Sequence, residues 1–430
     1  MYECLKGKKI LVIGSGASNI SIVNTAHELG MYVVVVDGIS DKTKTPAKNI
    51  ADEAWDLDYS NIDLVVKKAT ENNIDGVFAG YSEYRVLAAL KIAEAMKLPF
   101  YATEEQIDLT RNKRFFKNEC SKYGIKTPKD YCYNYPITDS ELNSIEYPVI
   151  VKPADYAGRK GITICYNDRN IQAAISYAAS YSESKMIIIE EFLSGVEFSA
   201  IYTLVDGAIS LSCVNEKYIS DDQERQTGLC EFLISPASFI KKFEDEVSNN
   251  IINFLKGINA KNGVAFFQGM STSKGIYIFE MGYRVNGNND FYVIEKNNDV
   301  SFLKMLLNYS IQGTMGEGQE KDNPYYKKFY ATMPMNVHAG IIDNIEYDKI
   351  VGMNSIDDIQ CFVSTGQEII EDGSTQQKAM SIKMSADSVA KIIECVEYIN
   401  SNVKILDKNG NNMLFKPFNP KKIALNYNSK

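Results

Sequence analysis

Two apolar segments in the second half of the chain end in side chains that suit a metal ion. Gln268 and Glu280 are separated by a hairpin-like Ser-Thr-Ser-Lys-Gly turn, and Arg284 follows four residues after Glu280. Adjacent antiparallel strands can bring two such side chains to one face. Mg2+ prefers oxygen ligands, so one amide and one carboxylate can serve as the ligands that the protein contributes. The pattern predicts a magnesium site beside an anion-binding arginine; a surface ion pair of Glu280 and Arg284 is the alternative.

Two earlier segments could bind a nucleotide. The apolar run 149–151 leads into Lys152 and Pro153, and a basic, glycine-bearing loop follows at 154–161. Backbone amides of such a loop can fold over phosphate oxygens. The run 187–189 leads into acidic, aromatic and aliphatic residues at 190–193, which can offer adenine an apolar slot and hydrogen-bonding edges. Each segment alone is more typical of an ordinary turn or strand, but their order favours a nucleotide site.

The elements that must position these residues change character near residue 103. From Lys8 to about Ala102, apolar runs alternate with helical periods, which predicts βαβ units around a parallel sheet, with a short edge strand at 98–100. Beyond Thr103, strands follow one another with few helices, which indicates antiparallel α+β units. The chain length also favours more than one unit.

A glycine-rich turn follows the first predicted strand. Gly14-Ser15-Gly16-Ala17-Ser18-Asn19 opens a helix, and Asp37 closes the next strand, as in a dinucleotide-binding fingerprint. The third glycine of that fingerprint is Asn19 here, so we interpret the motif as a tight βα turn rather than an NAD site. Its amides remain suited to an anionic substrate group.

The composition excludes several classes of partner. Forty-six basic and 55 acidic residues give a net charge of −9, which disfavours nucleic acid and acidic membranes. The 8 cysteines show no CxxC pair, and only 2 histidines accompany them, so reduced thiols are expected rather than a metal centre. No apolar run approaches the about 20 residues of a membrane helix. We expect a soluble, cytoplasmic protein that acts on small molecules.

The order of these motifs resembles the ATP-grasp superfamily over roughly residues 8–430. The resemblance implies an α/β and α+β chain with an ATP-grasp fold. It implies four units: a Rossmann-like pre-ATP-grasp domain at 1–102, an ATP-grasp small subdomain with linker helix and lid at 103–192, a large subdomain at 193–318, and a biotin-carboxylase-like α+β domain at 319–430.

The resemblance also assigns roles to individual residues. Those expected to bind the nucleotide are Lys113 and Lys152 (phosphates), Gly158, Arg159 and Gly161 (lid), Glu190, Glu191, Phe192 and Leu193 (adenine), and Glu197 (ribose). Gln268 and Glu280 would bind Mg2+, with Mn2+ as an alternative metal. Arg284 would stabilise the acyl phosphate and tetrahedral intermediate, Lys217 would contact the γ-phosphate, and Glu83 would face the substrate.

One position departs from the family pattern. The family usually has Asn two residues after the second metal carboxylate, where this chain has Gly282. Glycine offers no side-chain oxygen, so a second Mg2+ would need another ligand, for which Asn286 and Asn288 are candidates.

The function implied is an ATP-dependent ligase that joins a carboxylate to an amine through an acyl phosphate, on amino-acid-like substrates. A bicarbonate-activating carboxylase or carbamoyl-phosphate type enzyme is the alternative, although the Val-Glu-His stretch of biotin carboxylases is replaced by Val285-Asn286-Gly287-Asn288. A nucleotide-binding protein without turnover is the alternative from another class. Expected partners are a small-molecule carboxylate and amine, with no nucleic acid or membrane, and a homodimer is left open.

Overall fold

A computed structural model describes residues 2–132, 136–154, 161–220, 229–288, 290–370 and 377–427. Its N-terminal unit is a four-stranded parallel sheet flanked by helices. The elements are β1 (Lys9–Ile13), α1 (Ile20–Glu28), β2 (Tyr32–Val36), α2 (Pro46–Ile50), β3 (Glu53–Trp55), α3 (Ile62–Glu71), β4 (Gly76–Phe78) and α4 (Glu83–Ala95). The strand order β3-β2-β1-β4 places a topological switch point between β1 and β4, where open α/β sheets bind ligands.

A linker and a small antiparallel sheet follow. Their elements are α5 (Glu104–Arg111), α6 (Lys113–Lys122), β5 (Asp130–Cys132), α7 (Asp139–Asn143), β6 (Val149–Pro153), β7 (Thr163–Cys165), α8 (Ile171–Tyr181) and β8 (Ile187–Glu191). Val149 and Val151 are buried in one cluster with residues of α8. Since side chains alternate along a strand, Lys152 lies on the opposite face of β6.

A larger sheet follows the small one. Its strands and adjoining helices are β9 (Val196–Val205), β10 (Ala208–Ile219), β11 (Cys230–Ser235), α9 (Ile240–Phe243), α10 (Asn249–Gly257), β12 (Gly263–Thr272), β13 (Gly275–Gly282), α11 (Asp290–Asn298) and α12 (Phe302–Gln312). A π-helical stretch, Glu244–Ser248, joins α9 to α10. One face of this sheet packs on α9, α10 and α6, and the other packs toward α11, α12 and the N-terminal unit.

The C-terminal elements extend the same sheet. They are β14 (Phe329–Asn336), β15 (Gly340–Glu346), β16 (Ile356–Cys361), β17 (Glu368–Ile369), β18 (Lys378–Ala386), α13 (Val389–Asn402), β19 (Lys404–Asp407) and α14 (Lys421–Tyr427). The eight-stranded order is β13-β12-β9-β10-β11-β14-β18-β16, and β17-β15-β19 form a separate sheet. The sheet therefore crosses the boundary expected near 318, and the four-unit division stays a prediction.

The edge strand expected at 98–100 is wrong, because these described residues form no strand. Pro99 lacks an N–H to donate to a sheet. The segment instead leads into Tyr101, whose hydroxyl donates to the Tyr283 carbonyl at 3.1 Å. It thus packs the linker against the residue that precedes Arg284.

No helix in the described ranges combines the length and the apolar character needed to cross a membrane.

Candidate nucleotide and metal site

Glu190 is the centre of a buried charge cluster in the small subdomain. Its Oε2 accepts a hydrogen bond from Lys117 Nζ of α6 at 2.7 Å, and its Oε1 accepts one from Lys152 Nζ of β6. Glu190 is 5% exposed. Burial acts to raise the pKa of Glu190, but the two ammonium groups outweigh it and lower the pKa to about 2. The carboxylate predicted to face adenine is therefore a fixed anion between two lysines.

Lys117 was not predicted from the sequence. Its ammonium also donates to Asp130 and to the Pro128 carbonyl. Burial acts to lower the pKa of Lys117, but Glu190 and Asp130 outweigh it and raise the pKa. Lys117 lies four residues after Lys113, and this spacing on α6 is the sequence signal that could have found it.

Lys113 links this cluster to the metal residues. The Asn112 side chain caps α6 by accepting from the amides of Arg114 and Phe115, which fixes Lys113 as the first helical residue. Burial lowers the pKa of Lys113, the charge of Lys152 lowers it further, and Glu280 and Glu190 act in the opposite direction. Lys113 therefore interacts electrostatically with both carboxylates.

Gln268 and Glu280 are direct cross-strand partners on β12 and β13. A row of cross-strand neighbours continues from this pair onto the next two strands, which we call the metal row. Gln268 pairs with Ser199 on β9, and Ser199 pairs with Asn215 on β10. Ser199 Oγ and Asn215 Nδ2 are buried, and neither has a hydrogen-bond partner among the described residues. The sequence did not reveal these two residues, since their alignment depends on the register of four strands.

The donor set of this row fits a nucleotide-dependent metal. Gln268 and Glu280 offer an amide and a carboxylate oxygen, the hard ligands that Mg2+ takes alongside phosphates and waters. Among the described residues, no group of three or more His, Cys, Asp or Glu side chains could hold a metal. The two residues would thus complete a metal site together with a bound phosphate. The Asn286 Nδ2 donates to Asp290, which orients this candidate second-metal ligand through its amide nitrogen rather than through the oxygen that would bind a metal.

Lys217 and Glu197 also face each other across β10 and β9. Lys217 Nζ donates to Glu197 Oε1 at 2.6 Å, and both side chains are largely buried. They lie two residues along the same strands from Asn215 and Ser199, hence on the same sheet face. The residues expected at the γ-phosphate and the ribose are therefore in contact with each other.

Arg284 and Glu83 meet across 201 residues of sequence. Glu83 is the first residue of α4, at the switch point of the N-terminal sheet. Arg284 Nε and Nη2 both contact Glu83 Oε1, at 2.7 and 2.5 Å, and Nη1 donates to the Val285 carbonyl at 2.9 Å. The structure thus joins the two residues that the sequence placed at the substrate.

The other predicted nucleotide residues line the end of β8. Leu193 is buried, and the Phe192 ring lies 6.3 Å from that of Tyr166. Glu191 is different: its side chain is 26% exposed and lies 4.0 Å from Lys274, so it does not join the Glu190 cluster. Gly161 has φ +76° and packs on Pro153. Gly158 and Arg159 lie outside the described residues.

The glycine-rich turn after β1 is held from within the N-terminal unit. Asp37 accepts from the amides of Ser15 and Ile39, at 3.0 and 3.1 Å. Asn19 Nδ2 donates to the Ile13 carbonyl at 3.1 Å. The guanidinium of Arg85 lies so close to Gly14 that a Cβ there would be 2.7 Å from its carbon. The acid of the fingerprint therefore stabilises its own loop, which favours the tight-turn interpretation.

Two segments of the chain match known protein families. Residues 111–288 match the family "phosphoribosylglycinamide synthetase, ATP-grasp (A) domain", and residues 6–96 match "biotin carboxylase, N-terminal domain". A phosphoribosylamine–glycine ligase of Fusobacterium nucleatum subsp. nucleatum is 26% identical over 299 residues, which cover 64% of this chain and 67% of the relative. The chain thus spans about two thirds of the length of the curated relatives it matches.

Two solved structures share the fold over most of the chain. An L-amino acid ligase from Bacillus licheniformis has a TM-score of 0.78 and 16% identity, covering 94% of this chain and 99% of the ligase. The biotin carboxylase domain of Hydrogenobacter thermophilus 2-oxoglutarate carboxylase, a dimer in complex with MgADP and bicarbonate, has a TM-score of 0.76 and 18% identity, covering 93% and 90%. The fold expected from the sequence is confirmed. Residues 111–288 match an ATP-grasp domain, and the chain as a whole has the ATP-grasp fold.

Proposed function

We propose that this protein is an ATP-dependent ligase that converts a carboxylate to an acyl phosphate and joins it to an amine, forming an amide or peptide bond. The observation that carries the proposal is that two lysines contact the buried Glu190 on the small sheet, while Gln268 and Glu280 pair across strands of the large sheet. Transfer of a phosphoryl group to a carboxylate brings two anions together, so it needs cations and a metal around one point. A phosphoribosylamine–glycine ligase and an L-amino acid ligase among the similar proteins support the C–N bond-forming class.

The phosphates of ATP would lie between the lysines of the small subdomain and the carboxylate of the large one. Lys113 and Lys152 would donate to phosphate oxygens, and Lys217 would reach the transferred group from β10. Gln268 and Glu280 would hold Mg2+, or Mn2+ through the same oxygen set. A metal bound there would neutralise charge that develops on the γ-phosphoryl oxygens. Phe192 and Leu193 would contact the adenine, and Glu197 the ribose.

Glu190 gives Lys152 freedom to contact a phosphate. Lys152 donates to one oxygen of Glu190, and Lys117 donates to the other. Lys152 can therefore turn to a phosphate without leaving the buried carboxylate unpaired, since an uncompensated buried charge would be costly. Lys117 serves as the constant partner in this exchange.

The chemical steps would take place between the nucleotide and the Arg284–Glu83 pair. A substrate carboxylate oxygen bonds to the γ-phosphorus, and the bond from that phosphorus to ADP breaks. The amine nitrogen then bonds to the acyl carbon, loses a proton, and phosphate leaves. Arg284 can donate to the oxyanion of the tetrahedral intermediate, the type of fixed donor that lowers such barriers. Glu83 holds that guanidinium in place through two contacts.

The proposal is tested by a screen of amino-acid pairs with ATP and Mg2+, in which released ADP and phosphate are measured. A ligase releases ADP only when both a carboxylate and an amine are present, and mass spectrometry finds the condensed product. Lys152→Ala should abolish this release, and Lys126→Ala, a lysine near the exposed hairpin loop at Lys274, is the matched control. Nucleotide binding without substrate-dependent ADP release would contradict the proposal and favour a binding protein.

A further inference from the structure

The structure explains why glycine occupies position 282. It is the cross-strand partner of Phe266, one residue pair along the same sheet face from Gln268 and Glu280. A Cβ at position 282 would lie 2.3 Å from a ring carbon of Phe266, far inside the van der Waals contact distance. The ring therefore fills the space that a metal-ligating side chain at 282 would need. No L-residue can replace Gly282 here unless the ring moves.

The same ring supports Arg284. The guanidinium carbon of Arg284 lies 5.1 Å from the centroid of the Phe266 ring, within the range of a cation–π contact. Phe266 is 3% exposed and the Arg284 side chain 13%, so the contact is shielded from water. Such contacts are stronger when they are desolvated. Arg284 is thus held by the ring on one side and by Glu83 and the Val285 carbonyl at its nitrogens.

Phe266 also marks a boundary on the sheet face. On one side of it lie Gln268 and Glu280, and on the other lie apolar residues such as Ile201 and Val264, which cluster with it. Arg284 stands above this boundary. A guanidinium suits this position because it is weakly hydrated and can rest on an aromatic face while its N–H groups reach polar partners.

We propose that Phe266 is a positioning residue for Arg284, whose ring replaces a side chain at position 282 and holds the guanidinium at the reacting acyl group. Arg284 then supplies a fixed positive charge at this end of the site, where Gly282 has no side-chain oxygen to hold a metal ion. The inference rests on the proposed ligase reaction for its catalytic consequence. The contact between ring and guanidinium, however, can be tested without any substrate.

The kinetic test compares Phe266→Leu with Phe267→Leu. Phe267 is the next residue on β12, is equally buried, and packs on the opposite sheet face against Phe116, Phe254 and Tyr202. We expect Phe266→Leu to lower kcat about tenfold and to leave the KM for ATP within about twofold, because one desolvated cation–π contact is lost. Phe267→Leu should lower the thermal midpoint without this selective loss of kcat. Equal kinetic losses in the two variants would overturn the proposal.

A double-mutant cycle with Arg284→Lys separates positioning from general destabilisation. If Phe266 acts through the guanidinium, Phe266→Leu should reduce kcat by less than about twofold in the Arg284→Lys background. If Phe266→Leu lowers kcat by the same factor in the wild type and in the Arg284→Lys background, the proposal is refuted. Should Phe266→Leu not fold, Phe266→Met gives the same cycle with a longer side chain. Gly282→Ala should also lower the thermal midpoint, and Phe266→Leu should restore part of that loss by making room.

A substrate-free readout keeps this inference distinct from the proposed function. The four proteins of this cycle, together with Phe267→Leu and the Phe267→Leu/Arg284→Lys double variant, are compared by urea unfolding. Coupling between Phe266 and Arg284 is expected, and coupling between Phe267 and Arg284 is not. If the unfolding cycle shows coupling but the wild type has no ligase activity, the proposed reaction is refuted and the Phe266–Arg284 contact is supported. If activity is present and the coupling is absent in both kinetics and unfolding, the positioning role fails alone.

Discussion

Replacing Glu190 by Gln removes the negative charge that Lys117 and Lys152 share. The pKa of Glu190 is lowered from an ordinary 4.5 to about 2. Since a tenfold change in proton affinity equals 1.36 kcal/mol, the ionised carboxylate is favoured in the folded protein by roughly 3 kcal/mol. Breaking a buried ion pair costs a similar amount, about 3–5 kcal/mol. We therefore expect Glu190→Gln to lower the free energy of unfolding by about 3 kcal/mol at pH 7.

The pH dependence has a definite sign. A carboxylate whose pKa is lowered by folding contributes stability above its unfolded pKa, near 4.5, and loses that contribution as the pH falls toward the folded value of about 2. The wild type should lose stability over this window. The Gln variant lacks the titrating group, so the part of the loss that comes from Glu190 should be absent from its profile.

The assay must report on the small subdomain, because a chain of several units need not unfold in one step. Amide hydrogen exchange of β6 and β8 measures local stability at pH 7, and urea unfolding followed by circular dichroism gives the pH series. Glu191→Gln is the matched control, since the neighbouring side chain is 26% exposed and its lysine partner is 4.0 Å away. That exposed pair should be worth at most about 1 kcal/mol. A Glu190→Gln protein as stable as the control would refute the reasoning.

Three further predictions concern the reaction. Glu280→Ala should raise the Mg2+ concentration needed for half-maximal ADP release at least about tenfold, because the metal loses its carboxylate; an unchanged Mg2+ titration would contradict the assignment. Glu83→Gln should lower kcat by roughly tenfold with little change in the KM for ATP, because it weakens the hold on Arg284 away from the nucleotide; steady-state kinetics in both substrates decide this. The pKa of Lys113 is lowered below its ordinary 10.5, chiefly by burial, so its charged, phosphate-binding form is lost at a lower pH than for an exposed lysine. Calorimetry should show weaker nucleotide binding as the pH rises toward 10, and Lys113→Gln should bind about 10–100-fold more weakly at pH 7 and lose this trend; a parallel pH profile in the variant would argue against the role.

The local pattern of the sequence predicts much of the fold. The valine and isoleucine runs of β1 and β2 are buried almost throughout, as expected for a parallel sheet covered on both faces. The turn between Gln268 and Glu280 predicts that their strands are neighbours. Its register alone would place Phe279 opposite Gln268, and a bulge between Gln268 and Gly269 makes Glu280 the partner instead. Lys152 and Glu190 could be assigned to the nucleotide from the order of motifs. These inferences depend on neighbours in sequence or on a family pattern.

Contacts set by tertiary packing could not be predicted in this way. The Glu83–Arg284 pair joins α4 to the end of β13 across two units, and no local pattern encodes that distance. Ser199 and Asn215 join the metal row through the register of separate strands. Phe266 is one of several apolar residues in its strand, and only its position opposite Gly282 shows why the glycine is there. The strand expected at 98–100 failed because Pro99 cannot donate to a sheet.

The distribution of charges among the units implies a link between nucleotide binding and closure of the site. Lys113 and Lys117 lie on α6, Lys152 and Glu190 on the small sheet, and Glu280 on the large sheet. Burial is the main cause of the lowered pKa of Lys113, and the charge of Lys152 lowers it further. A triphosphate between these lysines would reduce their mutual repulsion. Since the same anion would contact both sheets, it would hold them together only when both are correctly placed. Nucleotide should therefore slow hydrogen exchange in β6, β8, β12 and β13 together. Slower exchange in one sheet alone would show that the lysines and the candidate metal ligands do not bind the same nucleotide.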